Sequence, residues 1–175
     1  MTRKIVVLSL IILFAIIFVE AQEIDKKISR KEIIKQSRLL MKESIKLIDN
    51  NKYDSALIFL DSILSIDKKN PDAHYYKGFI FLEKGDSTTA MTVLSEGISK
   101  SPMSTRLKIL SSKVLLNQGD YTEAGILLDK ILAIKPKECE ALYLRGVSLL
   151  EANDTVTAIE KFQKALGIAF PKGKK

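Results

Sequence analysis

With 28 Lys and Arg against 21 Asp and Glu over 175 residues, the chain carries a formal charge of +7, while 46% of it is hydrophobic and it holds one cysteine. A single cysteine excludes an intramolecular disulfide framework, so packing alone must hold the fold. The charge is placed at the ends: residues 23–49 carry +3, Lys172, Lys174 and Lys175 carry +3, and residues 50–171 are neutral. That leaves no basic stripe for nucleic acid, although a basic helix and tail could touch an anionic membrane surface.

The chain opens with Thr2-Arg3-Lys4, continues with Ile5 to Val19, apolar apart from Ser9, and reaches Val19-Glu20-Ala21. This pattern resembles a secretory signal peptide, residues 1–21, cut after Ala21. Fifteen apolar residues fall short of the roughly 20 that span a bilayer core, and Glu20 borders them, but an uncleaved membrane anchor stays open. No cysteine lies near, which excludes a lipid-modified one. The expected location is exported: periplasmic, cell-envelope or secreted. The alternative is membrane-anchored.

Residues 23–49 read as one long helix with Ile33, Ile34, Leu40, Met41, Leu47 and Ile48 at heptad spacing. Residues 22–36 form its basic extension, with Ile24 and Ile28 as a contact for a partner or membrane, or else a ragged start. From Ser37 the chain repeats every 34 residues without insertion. Ala56, Ala90, Ala124 and Ala158 share one place; Ser44, Gly78, Ser112 and Gly146 stand twelve residues earlier; Asn51, Gly85, Gly119 and Asn153 stand five earlier. Such a period signals a solenoid, whose units bury their apolar faces only against neighbours.

Each unit predicts two helices, A and B. Small residues on A and the alanine on B let the two backbones approach. Asn or Gly then supplies a left-handed residue at the turn, and the Asp, Ser or Thr that follows caps helix B. Asp67 to Pro71, Ser101-Pro102 and Lys135-Pro136 close helix B. Ala56, Leu57, Leu60, Ile63 and Leu64 recur at three and four, which is a helical face and not a strand.

The copies Pro71 to Ser104, containing AHYYKGFIFLEKGDSTTAMTVLSEGISKSP, and Cys139 to Lys172, containing EALYLRGVSLLEANDTVTAIEKFQKAL, resemble tetratricopeptide repeats. The resemblance implies an all-α, right-handed superhelical solenoid of four antiparallel helix pairs over residues 37–172. The units are 37–70, 71–104, 105–138 and 139–172, followed by a basic tail at 173–175. In the position where the family favours an aromatic or large apolar residue stand Leu40, His74, Lys108 and Leu142, so two copies depart from the pattern.

Nothing in the sequence assembles a catalytic, metal or cofactor site. His74 and Cys139 are the sole residues of their kinds, 65 positions apart, and cannot supply three or four zinc ligands. No Gly-rich phosphate loop follows a strand. The carboxylates Glu83 and Asp86 lie at a turn, where they serve helix ends. The expected function is therefore non-catalytic binding of a protein or peptide.

The resemblance implies a concave groove lined by the second, fifth, ninth, twelfth and thirteenth residues of each helix A. These include Met41, Ile45 and Ile48; Tyr75, Phe79 and Leu82; Arg106, Ile109 and Lys113; and Tyr143, Val147 and Leu150. The lysine and asparagine clamp with which some chaperone-binding members grip an acidic C-terminus is absent, because its places hold residues such as Met41, Lys42 and Ile45. An apolar peptide or amphipathic helix suits the groove better. The alternative is a self-assembling unit or membrane-anchored scaffold, because Phe162, Leu166 and Ile168 on the last helix lack a covering helix and offer a homodimer surface.

Overall fold

The computed structural model describes the backbone of residues 2–170, and side chains at Glu20, Gln22, Glu23 and from residue 29 onward. Eight helices follow one another: α1 (Thr2–Asp49), α2 (Tyr53–Ile66), α3 (Pro71–Glu83), α4 (Ser87–Lys100), α5 (Thr105–Gln118), α6 (Tyr121–Ile134), α7 (Cys139–Glu151) and α8 (Thr155–Ala169). They form a solenoid of four antiparallel pairs in which each pair meets its neighbours. Successive first helices α3, α5 and α7 also touch along one side.

Helix α1 is longer than the 23–49 stretch read from the sequence. No Gly or Pro interrupts residues 2–49, so nothing breaks the backbone ladder before Asn50. The proposed cleavage point after Ala21 falls inside this helix, and the expected contacts Ile24 and Ile28 lie outside the described side chains. Of the heptad residues, Ile48 is buried, Ile34 is exposed, and the rest are half-buried.

All four turns within pairs have one construction. Asn51, Gly85, Gly119 and Asn153 adopt φ of 56°, 79°, 85° and 63°. The next amide reaches back five residues in every copy: Lys52 to Leu47, Asp86 to Phe81, Asp120 to Leu115 and Asp154 to Leu149, at 2.8 or 2.9 Å. This is the helix stop that a left-handed residue permits. Capping of the following helix is less regular. Asp86 and Asp154 accept from Thr89 and Thr157, but Lys52 and Asp120 make no side-chain cap. Hydrogen bonding from the side chain and amide of Thr89 lowers the pKa of Asp86.

Two expectations are corrected. Pro71 does not close helix B: α2 ends at Ile66, and Pro71 is the first residue of α3, where its missing amide costs nothing and Asn70 caps Ala73. The nearest neighbour of the helix A glycines is not the alanine of helix B. A Cβ at Gly78 would stand 2.7 Å from Leu94, and one at Gly146 would stand 2.5 Å from Phe162. Each glycine thus accepts the large side chain four residues beyond the alanine, one helical turn on. Ala56, Ala90, Ala124 and Ala158 are themselves fully buried.

The core is a row of clusters at the junctions between pairs. Leu60, Ile63, Ala73 and Ile80 join α2 to α3; Leu94, Leu107, Leu110 and Val114 join α4 to α5; Leu128, Ile131, Ala141 and Leu144 join α6 to α7. His74 is buried, with Nε2 3.2 Å from the Lys68 carbonyl and its Cβ against Gly97, so it is a packing residue. Replacing Gly146 by Leu should lower stability by about 1–3 kcal/mol, because Phe162 must leave its rotamer. Ala124→Leu should do the same, and denaturant midpoints check both.

Candidate functional site

The groove residues share one side of α1, α3, α5 and α7, but packing consumes several of them. Ile48 and Ile109 are largely buried, so each offers the groove little open surface. Met41 packs on the first cluster, Leu82 on the α4–α5 cluster, and Phe79 on both. The reason is that, in the first three repeats, the fifth and twelfth places lie where neighbouring pairs meet. Ile45 and Val147 are half-buried, while Tyr143 and Leu150 are exposed.

The charged pair is also engaged. The Arg106 guanidinium donates to Asp72 at 2.6 Å and lies 4.1 Å above the centre of the Tyr75 ring and 5.4 Å from that of Tyr76. Burial opposes its charge, but Tyr76, Asp72 and Tyr75 together outweigh burial and raise its pKa, so it stays a cation. Lys113 pairs with Glu140 at 2.6 Å across the next junction. Both bonds link a first helix to its neighbour along the groove.

What remains open is a cleft of about 450 Å³ between the first and second pairs. Ile45, Ile48 and Phe79 supply its apolar surface, Tyr53, Tyr75 and Tyr76 its aromatic wall, and Asp49, Glu83 and Arg106 its charges. Tyr75 and Tyr76 meet edge to face at 5.3 Å. Tyr53 and Tyr76 stand on helix faces outside the groove positions that the repeat pattern implies. The tyrosine doublet was the available signal.

A second cleft, of about 740 Å³, lies at the far end between α7 and α8. Tyr143, Phe162, Ala165, Leu166 and Ala169 line it with Glu138, Cys139 and Glu140. The Tyr143 and Phe162 rings lie 5.7 Å apart, and the Cys139 thiol donates to the Ala165 carbonyl at 3.4 Å. Ile168 is half-buried and does not border this cleft. Among the described residues, no His, Cys, Asp and Glu group could hold a metal ion.

Four helix pairs at a 34-residue period, each stopped by the same left-handed turn, make this a tetratricopeptide-repeat solenoid. A tetratricopeptide-repeat family model matches residues 113–174. Among solved structures, the chain is similar to MamA 41-end from Desulfovibrio magneticus RS-1, with 24% identity, a TM-score of 0.66, and coverage of 76% of this chain and 75% of that one. It is also similar to PilF of Pseudomonas aeruginosa, with 18% identity, a TM-score of 0.71 and coverage of 78% and 62%. At those identities the likeness is one of fold. A DnaJ homolog subfamily C member 7 homolog of Dictyostelium discoideum is 29% identical over 79 residues, which is 45% of this chain and only 15% of that protein.

Arg106→Ala should cost no more than about 1 kcal/mol of stability, because both members of its ion pair are half-exposed. A double-mutant cycle with Asp72→Ala should give a coupling of the same small size, read from denaturant unfolding.

Proposed function

We propose that the protein is a non-catalytic adaptor of the cell envelope or secreted space that binds an apolar peptide or amphipathic helix in its concave groove. The observation that carries this reading is the cleft of Tyr53, Tyr75, Tyr76 and Phe79, an aromatic concavity on an otherwise packed inner face. Aromatic side chains bring large contact area at small entropic cost, and they dominate interface energies. The basic start, apolar run and Val19-Glu20-Ala21 support export, with an uncleaved anchor as the alternative. A mature N-terminus at Gln22, read by mass spectrometry of the native protein, is the expected outcome; retention of Ile5 to Val19 would favour the anchor.

Crosslinking in the native envelope fraction should identify a groove partner. Tyr75→Ala, Phe79→Ala and Tyr143→Ala combined should then weaken its binding by about 2 kcal/mol or more while helicity is kept. Equal affinity of wild type and triple variant would move the site away from the groove.

A separate observation favours self-association as a second reading. Leu57, Leu60 and Leu64 recur as Met91, Leu94 and Ile98, then as Gly125, Leu128 and Leu132, and each set packs under the next helix pair. The fourth copy is Ile159, Phe162 and Leu166, and there Ile159 is 49% and Leu166 58% exposed. The opposite end offers no match. Where α7 docks through Ala141, Leu144 and Arg145, α1 carries exposed Leu39, exposed Lys42 and half-buried Glu43. The contact is therefore tail to tail and closes at two copies. Lys172, Lys174 and Lys175 lie outside the described residues. Sedimentation of the purified chain should show a dimer that Phe162→Glu converts to monomer; a concentration-independent monomer would exclude it.

A further inference from the structure

The seams between repeats follow one plan with one exception. Where α3 crosses α2, Lys77 Nζ meets Asp61 Oδ1 at 2.5 Å; where α7 crosses α6, Arg145 Nε meets Asp129 Oδ1 at 2.9 Å. These places are equivalent, two repeat lengths apart. In both, a long cation lies largely buried along the seam, with 23% and 22% of its side chain exposed. Where α5 crosses α4, the same two places hold Ser111 and Ser95. Neither side chain is long enough to fill the space.

The result is a notch of about 400 Å³ at that seam. Met91, Ile98, Leu115, Ile126 and Leu127 form its apolar walls, and Ser95, Ser111 and Glu123 are its polar residues. Ser111 is fully buried and its hydroxyl has no hydrogen-bond partner. Burying a hydroxyl unpaired is costly, so a ligand that satisfies it is favoured. Glu123 makes no ion pair among the described residues, and no cationic side chain lines the notch.

We propose that this notch is a binding site for a lysine or arginine side chain of a partner polypeptide, inserted where the flanking seams carry their own Lys77 and Arg145. Apolar walls suit the methylene stem, while the serine oxygens and the Glu123 carboxylate accept from the charged head. An anion would meet Glu123, and a wholly apolar group would leave Ser111 unpaired. The site shares no lining residue with the aromatic cleft and does not depend on the groove reading.

The probe is n-butylguanidinium, titrated into the isotope-labelled full chain and followed by amide chemical shifts, with n-butanol as the uncharged control. Saturable shifts are expected at Ser95, Ser111, Glu123 and Ile126, with affinity weakened roughly fivefold in Glu123→Gln. They should vanish in Ser95→Asp/Ser111→Arg, which rebuilds the internal pair of the flanking seams. Should that double variant not fold, Ser111→Lys alone fills the notch with its own ammonium and serves the same purpose. Equal binding of n-butanol, unchanged binding after refilling, or no saturable shift at these residues would each overturn the proposal.

Discussion

The solenoid depends on how closely the two helices of each repeat approach. At Gly78 and Gly146 the second helix drives Leu94 and Phe162 into a space that a single methyl group would occupy. Ser44 and Ser112 keep the same place nearly as small in the other copies, and both are fully buried. Their hydroxyls bond back to carbonyls three or four residues earlier, Ser44 to Leu40 and Met41 and Ser112 to Lys108, so a polar atom is hidden without penalty. Widening any of these contacts would change the tilt of one pair and, through the seams, the path of the whole inner face.

That inner face is less open than its pattern suggests. Ile48 and Ile109 are largely taken up by packing, and Arg106 and Lys113 are engaged in links between neighbouring first helices. What survives is concentrated rather than continuous: an aromatic cleft at one end and an apolar cleft at the other.

The period, the helix pairing and the turns were legible because each is written locally and four times over; Asn51 and Asn153 take the same left-handed turn as Gly85 and Gly119. The burial of Ile48 was not legible, because it depends on how far neighbouring pairs rotate against each other. The Asp61–Lys77 and Asp129–Arg145 pairs did leave a trace, a charge alternation at a two-repeat spacing, with serines between. The trace becomes meaningful only when the two helices are known to cross there.

The seam between α4 and α5 has a mechanical consequence. In a stack that touches only neighbours, the packing of one junction is passed on to the rest of the array. This junction lacks the ion pair of its flanking seams, yet Arg106 of α5 donates to Asp72 of α3 at 2.6 Å and ties its two sides together elsewhere. Held at that point and open at the notch, this seam is packed differently from its two neighbours. The Arg106 link sits on the Tyr75 ring, so the packing of this seam also shapes the aromatic cleft.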